Sequence, residues 1–158
     1  MPTSDAFSDS YSSAREKFLS SAAAVNARVH HRVHPLRGVA GEELALDIAV
    51  DGAPDARRVL LVSSGCHGVE GHCGSGVQVH ALRDDGLREL CIRSGVTLVY
   101  LHAINPYGFS HTRRVTHENV DLNRNFQDFS KPLPANPGYD EIAHLVVPAH
   151  WPSGPDVN

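Results

Sequence analysis

Apolar and polar positions in this chain change period several times, and each change marks an element. Tyr11, Ala14, Phe18, Ala22 and Val25 recur at helical spacing behind Asp9 and Ser10, either of which can cap a helix. After a loose start over residues 1–8, this predicts an amphipathic helix to about Val25, packed on a sheet. Leu44, Leu46, Ile48 and Val50 alternate with Ala45, Asp47 and Ala49, which predicts a half-buried strand near a sheet edge. Asp51 to Asp55 forms a turn. Val59 to Val62 is a continuous apolar run, which suits a central strand covered on both faces. Gly76 to about Asp84 reads as helix, Asp85-Gly86 breaks it, a short helical piece runs to Arg93, and Val96 to Ile104 is a further apolar strand. Strand, helix and strand in that order make a βαβ unit with a parallel pair. Ligands of such sheets bind beyond the carboxyl ends of the strands. The Ser63–Gly71 loop and the loop starting at Asn105 both emerge there. Beyond Lys131 the chain is rich in proline and loop-like, and only Tyr139 to Val147 reads as helix.

Composition narrows the function classes. With 158 residues, 41% of them hydrophobic and 20% charged, the chain has the balance of one soluble globular domain. A formal net charge of -4 and scattered basic residues give no footprint for nucleic acid. No apolar run reaches the length of a membrane span. Met1 to Ser13 lacks the apolar core of a signal peptide, so a cytoplasmic location is expected. Cys66, Cys73 and Cys91 are odd in number and do not form a disulfide framework. His30 and His34 stand four apart and could chelate a metal on a helix, but Pro35 and the β-branched neighbours argue against helix there.

Two stretches carry candidate chemistry. His67-Gly68-Val69-Glu70 lies on the turn leaving the Val59–Val62 strand, and imidazole nitrogen and carboxylate oxygen are both good zinc ligands. Taken alone, a His-x-x-Glu pair is a weak motif. Asn119 to Phe126 adds Asp121, Asn123 and Arg124, preceded by Asn105-Pro106-Tyr107-Gly108 and by Arg113-Arg114. A guanidinium binds a carboxylate through two parallel hydrogen bonds, and a second arginine near a metal stabilises charge developing on an attacked carbonyl. Plainer roles remain open for each residue. Arg124 could be a structural partner of Asp121, Asn105 and Gly108 could simply form a turn, and Asp121 could fix the loop or support a metal ligand. Cys66 reads as a small packing residue, and His72 either faces solvent or competes for metal.

His67-Gly-Val-Glu70, Asn105-Pro-Tyr-Gly108, Arg114 and Asp121-Leu-Asn-Arg-Asn-Phe126, in that order, resemble the zinc carboxypeptidase superfamily, which includes the aspartoacylase and succinylglutamate desuccinylase enzymes. The nearest likeness is to an uncharacterised bacterial branch of carboxypeptidase-like proteins. The resemblance implies an α/β fold with a mixed, mainly parallel sheet flanked by helices. It implies zinc as cofactor, with His67 and Glu70 as two of three ligands. By spacing, Arg114 rather than Arg113 matches the arginine that polarises the scissile carbonyl, and Asn123 and Arg124 match the pair that holds a substrate carboxylate. The implied activity is hydrolysis of a peptide or N-acyl amide bond next to a free carboxylate by metal-activated water.

The same resemblance calls for a third ligand, a histidine on a later strand, and for a still later glutamate as general base. Only His144 and His150 follow Arg124, neither on a strand-like run, and Glu141 is the one later glutamate. Residues 1–158 are therefore expected to be the N-terminal portion of a single such domain, with 131–158 a proline-rich tail and the missing C-terminal segment supplying the remainder. The expected partner is a small peptide or N-acyl amino acid. The alternative is a catalytically inactive fragment or binding module.

Overall fold

The computed structural model describes residues 3–53 and 55–147. They divide into a unit ending at Asn125 and a second beginning at Phe126. In the first unit, helix α1 (Tyr11–Ala24) begins where the Ser10 hydroxyl accepts a hydrogen bond from the Ser13 N–H. Strands β1 (Arg28–Arg37), β2 (Glu43–Asp51) and β3 (Arg58–Ser63) follow. Helices α2 (Gly71–Arg83) and α3 (Asp85–Arg93), strand β4 (Val96–His102) and the short helix α4 (Pro106–Ser110) complete it. The second unit holds one described helix, α5 (Pro137–Val146). No helix among the described residues is long and apolar enough to cross a membrane.

The sheet is mixed, with strand order β1-β2-β4-β3. β1 and β2 pair antiparallel, as do β2 and β4, while β3 and β4 form the parallel pair expected of the βαβ unit. Two strand readings need correction. Among the described residues β3 is the last strand of the sheet, where a central strand was expected, and its Val59, Leu60 and Leu61 are 63%, 46% and 55% exposed. Conversely, β2 lies inside the sheet. β1 carries His30, His31 and His34 on a strand, not a helix, so its histidines do not chelate at helical spacing. Its period of two is hidden because polar residues sit on both faces: Val29 and His31 pair with Ala49 and Asp47, while Arg28, His30 and Arg32 point the other way.

The helices pack on one face of this sheet. Phe18 and Ala22 of α1, Val79 and Leu82 of α2, and Cys91 of α3 meet Ala49, Leu98 and Tyr100. Asp47, fully buried on the same face, accepts two hydrogen bonds from Arg15 at 2.8 and 3.2 Å and lies 2.6 Å from His31 Nδ1. Such a charge is tolerated in the interior because its partners replace water. A second cluster, Tyr11, Ala14, Leu44, Ala103 and Phe109, sits under the end of the sheet from which the functional loops leave. There the Tyr11 hydroxyl donates to Ala45 O and accepts from Ala45 N, and burial pushes its pKa up to about 12.

Candidate metal and carboxylate-binding site

The site is built where β3 and β4 end. Their pairing continues into the loops: Ser64 N–H donates to Leu101 O, Ile104 N–H to Ser64 O and Asn105 N–H to Gly65 O, at 2.8 to 2.9 Å. This zipper brings the 66–70 turn beside the 105–113 segment. Asn105 caps α4 by accepting from Gly108 N–H at 2.8 Å. The turn is then clamped, with Gly68 N–H donating to Arg113 O at 2.9 Å and Arg113 N–H to Gly108 O at 2.7 Å. Only glycine fits at 68, because a Cβ there would collide with the carbonyls of Gly108 and Arg113.

The clamp leaves the buried His67 ring between two carboxylates. Its Nε2 lies 3.1 Å from Asp121 Oδ1, and its Nδ1 lies 3.2 and 3.3 Å from the two oxygens of Glu70. With the ring proton on Nε2, donated to Asp121, the Nδ1 lone pair faces Glu70, the arrangement that orients a metal-ligating histidine. In that tautomer two acceptors face each other across 3.2 Å, a spacing that a metal ion can bridge. With zinc bonds of about 2.0–2.2 Å, donors 3.2 Å apart subtend roughly 100° at the metal, close to tetrahedral. The pair therefore fits zinc. Among the described residues, no group of three or more His, Cys, Asp or Glu is arranged to hold a metal. His144 and Glu141 lie on α5 in the second unit, and His150 falls outside the described residues.

Asp121 ties the arginine segment to His67. Its second oxygen accepts from Arg114 Nε at 2.9 Å, and its first also accepts from Asn123 N–H at 3.0 Å. Partial burial opposes ionisation of Asp121, but the hydrogen bonds from His67, Arg114 and the Asn123 backbone outweigh it and hold the carboxyl below the usual carboxylate range. The two adjacent arginines do different things. Arg113 donates to Asn119 Oδ1 at 2.6 Å and lies over the Tyr107 ring, whereas Arg114 leans towards His67 through Asp121. Asn123 and Arg124 sit on a 3-10 turn, Leu122–Arg124, with both side chains exposed. Among the described residues the Arg124 guanidinium donates only to Asn123 O, and Arg124 meets Asp121 solely through its backbone N–H on Asp121 O, so the side-chain pairing with Asp121 that the sequence allowed is not formed. Its guanidinium has no carboxylate partner among the described residues.

Other side chains take plainer parts. His72 Nδ1 hydrogen-bonds Ser8 O at 3.1 Å and its ring packs edge-on to Phe109. Burial pushes the Cys66 thiol up, reinforced by Asp121 and Glu70 and opposed by Arg114. A cavity of about 500 Å³ beside α1 and Glu42–Glu43 lies apart from these residues. The clamp at Gly68 was not foreseen in the sequence. Its only local signal is a glycine between two candidate ligands, and the carbonyls it must clear lie some forty residues away along the chain.

A family model described as "Protein of unknown function (DUF2817)" matches residues 7–157. No curated protein matches the chain by sequence. Among solved structures, a putative carboxypeptidase from Burkholderia mallei matches with 21% identity and a TM-score of 0.50, over 70% of this chain and 30% of that one. Thrombin activatable fibrinolysis inhibitor matches with 14% identity and a TM-score of 0.50, over 76% and 34%. An aspartoacylase family protein from Mesorhizobium loti aligns with 23% identity at a TM-score of 0.41, over 76% and 36%. The fold is thus carboxypeptidase-like, and the chain spans about a third of the length of the structures it matches.

Proposed function

The chain belongs to the DUF2817 family, and we propose that it carries the metal-anchoring and carboxylate-binding part of a zinc-dependent hydrolase that cleaves a peptide or N-acyl amide bond next to a free carboxylate. The observation that carries this reading is the His67 ring, held at Nε2 by Asp121 with Nδ1 facing Glu70. His67 and Glu70 would hold the metal, which when bound supplies an activated water and polarises a carbonyl. Arg114, oriented by Asp121 beside His67, would stabilise charge on the attacked carbonyl oxygen. Arg124, with its fork unpaired, and Asn123 beside it would bind the substrate carboxylate. The substrate is then a small peptide or N-acyl amino acid, and the three unpaired cysteines suit a cytoplasmic setting.

A second reading, a binding module without turnover, is favoured by one observation: the described residues hold no third ligand for the His67–Glu70 pair. Both readings share the carboxylate site. The test compares binding of hippurate and of its amide, hippuramide, to the zinc-loaded chain, in wild type and in Arg124→Lys. Lysine keeps the charge but loses the planar fork. Wild type should prefer the acid, and the variant should lose about tenfold to a hundredfold on the acid alone, from charge-assisted bonds of roughly 1.5–3 kcal/mol each. Equal losses on acid and amide would make Arg124 structural and remove the carboxylate from the substrate class. Hydrolysis of hippurate by the chain joined to the expected C-terminal segment, lost in Arg114→Ala, separates the enzyme from the binding module.

A further inference from the structure

Arg114 stands beside His67 only if Asp121, seven residues later, is held in register with it. Their own ion pair does little of this, because the Arg114 side chain is 51% exposed and a solvated pair is weak. The segment between them closes on itself. Thr116 N–H donates to Val120 O at 3.0 Å, Asn119 N–H to Thr116 O at 3.1 Å and Val120 N–H to Thr116 Oγ1 at 3.2 Å. These local bonds shape the turn without fixing where it lies. His117 and Arg113 attach it to the rest of the unit. His117 meets the rings of His34 and Tyr107 edge-on, with centroids 5.0 and 5.7 Å apart. Arg113 spans more of the loop: its Nη2 donates to Asn119 Oδ1 at 2.6 Å, and its guanidinium carbon lies 5.9 Å from the centre of the Tyr107 ring, within cation–π range. Tyr107 is itself stacked on His111 at 4.1 Å and on His34 of β1 at 6.0 Å. Asn119 has a φ of 65°, in the left-handed region where glycine is least strained. Asparagine brings there what glycine lacks, an acceptor for Arg113.

We propose that Arg113 is a positioning residue of this site: its guanidinium ties the tip of the 113–121 loop, at Asn119, to the Tyr107 ring, and so sets the Arg114–Asp121 pair beside His67. Arg113 acts through Arg114 and Asp121 rather than on a substrate, which gives the two adjacent arginines separate parts. Its backbone has another task, since Arg113 O accepts from Gly68 N–H and Arg113 N–H donates to Gly108 O. A side-chain substitution leaves both of those bonds in place. The inference rests on the hydrolase reading only for the use to which Arg114 is put, and the positioning is a property of the metal-free chain.

The test reads hydrogen exchange of the Arg114 Nε–H by NMR in the metal-free 158-residue chain, with the signal identified by its loss in Arg114→Lys. Asp121→Ala sets the exchange rate of the freed group. Arg113→Ala should speed exchange about tenfold, towards that rate, at an unchanged melting temperature. Asn119→Gly keeps the backbone conformation and removes only the acceptor, so it should do the same. The double variant should add nothing, because both changes remove one link. Asn119→Asp keeps an acceptor and should retain the protection of wild type. The proposal is overturned by unchanged exchange in Arg113→Ala, by additive effects of Arg113→Ala and Asn119→Gly, or by an acceleration that comes only with a lowered melting temperature. It is equally overturned if Asn119→Asp loses as much protection as Asn119→Gly, or if His117→Ala speeds exchange and Arg113→Ala does not. Zinc enters none of these readings. Failure of the metal site would appear instead as zinc binding that survives His67→Ala, and the two failures are told apart.

Discussion

Replacing Gly68 with alanine tests whether the metal-facing turn is held by the clamp described above. An ordinary van der Waals contact for a Cβ begins near 3.4 Å, and the carbonyls of Gly108 and Arg113 lie far inside that limit. Neither neighbour is a flexible side-chain end, so the backbone itself must separate. Doing so breaks Gly68 N–H to Arg113 O at 2.9 Å and strains Arg113 N–H to Gly108 O at 2.7 Å. Two hydrogen bonds at about 0.5–1.5 kcal/mol each, with overpacking of roughly 1–3 kcal/mol, give a loss of about 2–6 kcal/mol. The matched control is Gly86→Ala inside α3, where the nearest atom to an added Cβ is an Asp84 carboxylate oxygen at 3.3 Å. That change should be neutral or stabilising by up to about 1 kcal/mol. Urea denaturation gives both numbers, and cobalt titration reports whether His67 and Glu70 still converge. If Gly68→Ala unfolds within 0.5 kcal/mol of wild type, as a surface change would, and binds cobalt equally well, the clamp does not set the geometry of the turn.

Two further outcomes follow from the helix-covered face of the sheet. Arg15→Leu leaves the fully buried Asp47 with only the half-exposed His31, so it should cost about 3–5 kcal/mol in chemical denaturation, and a loss below 1 kcal/mol would mean that water already reaches Asp47. His102 is stacked on Phe18 and fully buried, and burial lowers its pKa from 6.5 to about 4. The unfolded chain therefore binds the extra proton between those values, so this contribution is complete above about pH 6.5 and is lost as pH falls towards 4, by up to roughly 3 kcal/mol. His102→Phe should flatten that part of the stability profile, and an unchanged slope would place the titration elsewhere.

The parts of the fold that were legible had a single buried stripe. α1 could be read because its apolar residues share one helical face and Ser10 caps it. β4 was legible through its apolar run. β3 was recognisable as a strand, but its four apolar residues do not say what covers them. β1 was missed because its partners are charge and histidine: His31 answers Asp47 across the ladder, a pairing that hydrophobic patterning cannot register. In the site, His67, Glu70, Arg114, Asn123 and Arg124 stood out through motif and resemblance. The link that joins them, Asp121 between His67 and Arg114, depends on residues 54 positions apart being brought together by the β3–β4 pair. Sequence spacing alone suggested only that Asp121 supports its own loop or a ligand.

The central claim is that His67 and Glu70 are metal ligands, and zinc titration by calorimetry on the dialysed 158-residue chain and its variants tests it most directly. Two protein ligands make a weak site, so dialysed protein should retain substoichiometric zinc and take up one equivalent with low affinity. His67→Ala and Glu70→Ala should each abolish that binding. Asp121→Asn should weaken it by about tenfold to a hundredfold through the orientation of His67, and His144→Ala should leave it unchanged. Zinc bound equally well by His67→Ala, or bound tightly at one equivalent and lost on His144→Ala, would contradict the account.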